Sequence, residues 1–458
     1  MFGESAANGD PDPTYGFCRY LQVLLRERYP GTEFEVECVA ITAIDSNVIL
    51  PIARECARHQ GDLWLIYMGN NEMVGPFGAE TTYGWRAPSL GMIRTILALK
   101  TTRIGQLMDA LGRRLRSNAA SLKEWGGMQM FAHERLGYNS PARLRAYGNF
   151  KANLEDILLT AKRANVPVIL STVGVNLKDC APFASMHNAS LSAEQTSAWS
   201  QAFEAGKMAE DAGSNQVALA AYQQAAQMDP QYAELQFRMG ECDLALTNDA
   251  QARSAFERAR DCDALDFRAD TRINTIIRDV AARHARGEVQ LVDAANLLAR
   301  QSAKGIPGFE FFYEHVHLNF AGNYLLARNY ARQIKKLLPP SITATDRGSW
   351  ASAELCDRRL AVTTWDRLRV FGTILKRINV PPFTGQFNHA AALKIYGAKL
   401  QALETNLSSQ TPAAAAQLYE QALALAPDDV LLHANFEQFL EARGDITRAI
   451  SHCQRVCN

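Results

Sequence analysis

The feature that most constrains this chain is a phase relation among small and aromatic residues. Gly206, Ala218, Tyr222, Ala225 and Pro230 recur 34 positions later as Gly240, Ala252, Phe256, Ala259 and Ala264. The stretch from about 196 to 265 is dense in alanine and reads as helix throughout, without strands. Small residues at fixed phases let two antiparallel helices approach closely. The aromatic fills the groove between them, and the proline stops the second helix. Ala415, Tyr419, Ala422 and Pro427 hold the same phases near the end of the chain, and Ala449 follows Ala415 by 34 positions. The chain is therefore expected to carry two blocks of helical hairpins.

This phasing resembles the tetratricopeptide repeat, with Ala264 standing where the pattern has proline. The resemblance implies grooves that hold a protein or peptide partner.

Outside the hairpins a different period appears. Residues 34–41, Leu63-Trp64-Leu65-Ile66-Tyr67-Met68, 166–173 and Val289-Gln290-Leu291-Val292 are short, apolar and β-branched, and read as strands. Helical patterns over 147–164, 272–285 and 321–337 alternate with them. That alternation predicts a parallel sheet covered on both faces. The expected organisation is an α/β domain over 1–195 and 268–340, interrupted by a repeat insertion over 196–267. A linker over 341–383 and C-terminal repeats over 384–458 follow. Residues 90–135, rich in Arg and Lys, read as a largely helical insertion over one edge, near the site.

At roughly 100–200 residues per domain, 458 residues allow two to four domains. The 48 Lys and Arg balance 48 Asp and Glu, so charge gives no reason to expect nucleic acid or an anionic membrane as partner. The nine cysteines are scattered and match no zinc spacing, which reads as free, mostly buried thiols and favours a reducing compartment. No apolar run approaches the ~18 residues of a membrane span. Met1-Phe2 leads straight into a Gly-Glu-Ser turn, leaving no room for the central strand that such a turn normally follows. An upstream segment is therefore expected. The chain as written reads as cytoplasmic, and as membrane-anchored if that segment carries an anchor.

Three segments carry chemistry: Gly3-Glu4-Ser5, Gly69-Asn70-Asn71-Glu72 and Glu314-His315-Val316-His317. The first two fall where strands end, which is where ligands bind in open α/β sheets. Ester hydrolysis needs a nucleophile, a base for its proton, an acid to orient that base, and donors for the oxyanion. Ser5, His317 and Glu314 can form such a catalytic triad. Asn71 can offer its amide to an oxyanion hole beside the Ser5 N–H.

In this order the segments resemble the SGNH or GDSL hydrolase family over residues 1–195 and 270–338. The resemblance implies a flavodoxin-like, three-layer α/β fold and a serine esterase or acylhydrolase working through an acyl-enzyme without cofactor or metal. The implied substrate is a small-molecule or glycan ester. It also implies a second oxyanion donor at Ala43, within Ala40-Ile41-Thr42-Ala43-Ile44-Asp45-Ser46, where the family has glycine. Glu314 stands where the family has Asp, and Gly-Glu-Ser replaces Gly-Asp-Ser. Asn70, Phe77 and His187 are further candidates for the substrate pocket, and the loop from Gly75 through Trp85 to Pro88 for a wall or lid. Arg268, Asp270 and Arg272 read as a structural ion-pair cluster, with an anion clamp as the sharper alternative. A second functional reading is a protein-interaction scaffold with a degenerate hydrolase domain. Acyl transfer to an acceptor other than water is a third.

Overall fold

The computed structural model describes residues 1–82, 86–107, 110, 126–284 and 289–457. Four parallel strands, β1 (Phe2–Gly3), β2 (Trp64–Tyr67), β3 (Val168–Ser171) and β4 (Val289–Val292), form one sheet in chain order. Phe2 pairs with Ile66, Trp64 with Val168, and Val168 with Val289. Successive strand residues point to opposite faces. Every residue of β1, β2 and β3 is nonetheless buried, so both faces of the sheet are covered. The cover comes from two groups of helices. Phe17–Arg28 packs with Phe320–Ile334, while Pro141–Arg163 packs with Ser46–Cys56 and Thr271–His284. A parallel α/β domain joined to helical hairpins is thus the architecture.

Residues 34–41 do not become a strand. They run beside β1 on the edge away from β2, through Val39 N–H to Met1 O at 3.0 Å and Ile41 N–H to Gly3 O at 3.4 Å. The Met1 amine donates to Glu37 O at 2.7 Å. Counting this segment, the order across the sheet is second, first, third, fourth, fifth. The order therefore reverses at β1, between the ends of β1 and β2. Gly3 is required there, because a Cβ would lie 2.2 Å from Tyr67 O.

The hairpin phases have the physical meaning the sequence suggests. Ala193–Asp211 packs on Asn215–Met228, and Ala233–Ala245 on Asp249–Asp261. A Cβ on Gly206 would come within 2.3 Å of the Tyr222 ring, and one on Gly240 within 2.9 Å of Phe256. At the C-terminus Val430–Ala442 packs on Ile446–Cys457, and Tyr419 stacks on Phe436 at 4.8 Å. The His389–Ser409 helix differs from its counterpart Ala193–Asp211. It packs chiefly against Thr364–Ile378, where Tyr396 meets Phe371 and donates to Tyr313 O.

Two expectations about connections change. Residues 341–383 do more than link, since they hold the Thr364–Ile378 helix, which packs into the α/β domain. Of the 90–135 insertion, Leu90–Thr101 is helical and Met128–Phe131 forms a short 3₁₀ turn, while 108–109 and 111–125 lie outside the described residues. All nine cysteines are free. Among the described residues no helix is long and apolar enough to cross a membrane.

Candidate active site

Ser5 opens the helical turn Ser5–Asn8 directly after β1. The N–H of a first helical residue has no partner within its turn and remains available to a ligand. The preceding residue, Glu4, is fully buried. Its carboxylate accepts the N–H groups of Gly69 at 3.0 Å, Asn70 at 2.8 Å and Asn71 at 3.3 Å. The acid of the Gly-Glu-Ser turn therefore splints the loop after β2 to the serine turn. Burial, reinforced by the charge of Glu72, outweighs those three donors and pushes the Glu4 carboxyl up to about 8.

A second splint holds the remaining loop. Glu72 accepts Ser46 N–H at 2.9 Å and Ser46 Oγ–H at 2.8 Å, and burial pushes its carboxyl up to about 7. Asp45 caps the Ser46–Cys56 helix through Asn47 N–H at 3.1 Å. The Asn71 amide donates to Ile44 O at 3.1 Å. An amide nitrogen carries two hydrogens, so one is left for a ligand. Between these anchors Ala43 adopts φ +64°, the left-handed conformation expected of a glycine. Fixed contacts on either side hold an alanine in that conformation.

The last element is the Glu314–His317 block, which precedes the Phe320–Ile334 helix. Ser5 Oγ lies 2.9 Å from His317 Nε2, across 312 positions of sequence. His317 Nδ1 and His315 Nδ1 bond the two oxygens of the same carboxylate, Glu314. Val316 N–H donates to Glu314 Oε2 at 3.1 Å. Burial raises the Glu314 carboxyl, but the two imidazoles outweigh it and hold it well below the usual range. Burial pushes the His315 imidazole below its usual value, against the pull of the Glu314 carboxylate.

Ser5, Ala43, Asn71 and His317 all line one cavity of about 340 Å³. Its apolar wall comes from Val74, Met128, Phe131, Phe267, Val380 and Phe383. The cavity sits at the carboxyl ends of β1 and β2, where the strand order reverses. A hydroxyl, an imidazole and a carboxylate in series, with Asn71 and Ala43 lining the same cavity, can deprotonate a nucleophile and hold a developing oxyanion.

Three pocket candidates fall elsewhere. The side chain of Asn70 is buried, and its Oδ1 accepts Ala269 N–H at 3.0 Å, fastening the point where the chain returns from the hairpins. Phe77 occupies a positive-φ position outside the cavity wall. His187 bonds Asp229 at 2.9 Å and packs on Trp199 and Tyr232, against the first hairpin. Of the 75–88 loop, Gly75 lines the cavity, as does Val74 just before it, and Trp85 lies outside the described residues. Arg268, Asp270 and Arg272, expected as one ion-pair cluster, each meet other partners. Arg268 pairs with Asp263 at 3.2 Å, Asp270 caps Ile273 N–H at 2.8 Å, and Arg272 lies over Tyr138.

Arg377 was not legible in the sequence. Its Nη1 lies 3.1 Å from Glu314 Oε1 and 2.9 Å from His317 Nδ1, and its Nη2 bonds Asp10. Asp10 Oδ2 is itself 4.0 Å from His317 Nε2. Nothing in the local pattern around 377 separates this arginine from its neighbours. Among the described residues, Glu314, His315 and His317 are also the one group whose donor atoms are close enough together to hold a metal ion. The Arg377 guanidinium already fills the place of a cation beside two of those atoms, and the third, His315 Nδ1, bonds the same carboxylate. We assign no metal centre to them.

Comparison of the sequence with protein-family models and with curated proteins gives no match. The fold and site define an α/β protein with a serine–histidine–glutamate series at the sheet's switch point.

Proposed function

We propose that this chain is a serine esterase or acylhydrolase of the SGNH type, with a flavodoxin-like α/β domain. Ser5 attacks the carbonyl of a small-molecule or glycan ester while His317 Nε2 takes its proton. Glu314 stabilises the imidazolium that forms. The N–H groups of Ser5 and Ala43 and the Asn71 amide hold the oxyanion. His317 then protonates the departing alcohol, leaving an acyl-enzyme that water releases by the same steps in reverse. The hairpins are tetratricopeptide repeats that bind a protein or peptide partner.

The observation that carries this reading is the 2.9 Å contact of Ser5 Oγ with His317 Nε2 inside an apolar cavity. A fluorophosphonate probe should label Ser5, and a chromogenic ester should be hydrolysed. Ser5→Ala and His317→Ala should each lose both responses. A wild-type protein that takes no label and turns over no ester would sink the enzyme reading and leave the repeats as a scaffold.

A further inference from the structure

The triad lies within the α/β domain but is buttressed from outside it. The Thr364–Ile378 helix, from the segment expected to be a linker, brings a guanidinium against the side of the triad away from the serine. We infer that Arg377 is a positioning residue for the base. It holds the Glu314 carboxylate in register with His317 and, with Asp10, sets how strongly that imidazole holds a proton. The inference deepens the esterase reading and rests on it for its catalytic meaning, though not for its geometry.

Glu314 is shared by two imidazoles, one on each carboxylate oxygen. Arg377 Nη1 bonds Oε1, the oxygen that faces His317, and not Oε2, which faces His315 and Val316 N–H. A guanidinium can only donate. Its contact with Oε1 therefore fixes that oxygen toward His317 and withdraws part of its charge.

The second effect is electrostatic. Four other charged or titratable groups surround His317: Glu314 and His315 on its own block, Arg377 on the Thr364–Ile378 helix, and Asp10 after the serine turn. Lys376 lines the same cavity. The cation at 2.9 Å opposes protonation of the imidazole, whereas the two carboxylates favour it. Asp10 is paired with the same guanidinium. Loss of Arg377 would remove the opposing cation and also free Asp10, and both changes strengthen the hold on the proton. A base that keeps its proton at neutral pH cannot take one from serine.

The test is titration of the His317 imidazole followed by NMR in the full chain. His317→Gln assigns the signal. In Arg377→Met the His317 midpoint should rise by about one pH unit or more. Arg377→Lys keeps the charge and should stay nearer wild type. Asp10→Asn should move the midpoint down. If the wild type hydrolyses esters, the acid limb of kcat/KM should follow the same order. The Arg377→Met plateau should fall roughly tenfold or more for the lost charged hydrogen bond, with partial rescue by lysine. A His317 midpoint that is the same in wild type, Arg377→Met and Asp10→Asn overturns the inference, whether or not the chain turns over an ester. Absence of labelling and turnover in the wild type would instead defeat the esterase reading while the titration still judges Arg377.

Discussion

Ala43 shows how a single residue can carry a cost set by its neighbours. An L-residue in the left-handed region costs roughly 1–2 kcal/mol, and Ala43 sits there at φ +64°. Glycine would relieve that strain but widen the unfolded ensemble, which offsets about 0.4–1 kcal/mol. Ala43→Gly should therefore stabilise the fold by a net of about 0.5–1 kcal/mol, read as a higher urea midpoint. A lower midpoint would mean that the alanine methyl packs favourably enough to outweigh the strain.

The splinting carboxylates make a prediction about pH. Burial pushes Glu4 up to about 8 and Glu72 up to about 7, both from 4.5. Their folded pKa values lie above the unfolded one, so between these limits the folded state holds more protons than the unfolded state. Stability then falls as pH rises, with the contribution fully present below about 4.5 and lost by about 8. Urea midpoints should be higher at pH 5.5 than at pH 8.5, and Glu72→Gln should flatten the difference. A midpoint that climbs across that window would refute the assignment.

At the scale of elements, two glycines in helices should respond with opposite signs. In a helix interior alanine is favoured over glycine by roughly 1 kcal/mol when nothing else intervenes. Gly372, in Thr364–Ile378, has nothing within 4 Å of the point where a Cβ would stand, so Gly372→Ala should stabilise by about that amount. Gly206 faces the Tyr222 ring at 2.3 Å, and overpacking there should cost about 1–3 kcal/mol despite the better propensity. Gly206→Ala should lower the melting temperature, and Tyr222→Leu in the same chain should recover part of the loss. Additive effects of the two changes would show that the glycine phase does not report helix contact.

Across the whole molecule, the cavity is built by parts far apart in sequence. Ser5 and Asp10 come from the first turn, Phe267 from the return out of the hairpins, and Arg377, Val380 and Phe383 from the segment after the α/β domain. Val380 is partly exposed at this wall, so an enlarged side chain there can fill the cavity without disturbing the core. Val380→Trp should lower kcat/KM for butyryl esters relative to acetyl esters, by about tenfold. An unchanged ratio would place the acyl group elsewhere.

The sequence by itself determined the hairpins, the strands β2, β3 and β4, and the identity of Ser5, His317, Glu314 and Asn71 as the groups to bring together, but not β1, for which Met1-Phe2 reads as leaving no room. The hairpins, those three strands and the Glu314–His317 pair are encoded locally, whereas Ser5 and Asn71 are singled out by the order of three separate segments. Helical and strand periods repeat over a few residues, and a carboxylate three positions before an imidazole meets it within one turn of chain. The tertiary structure alone decided which neighbours surround them. Asn70 left the pocket because its amide meets Ala269 N–H, and His187 because it meets Asp229. Residues 34–41 stayed outside the ladder beside a β1 of two residues. Arg377 entered from a supposed linker. Contacts between segments that lie scores or hundreds of residues apart leave no period to read, because nothing in either segment's own pattern specifies the partner it will meet.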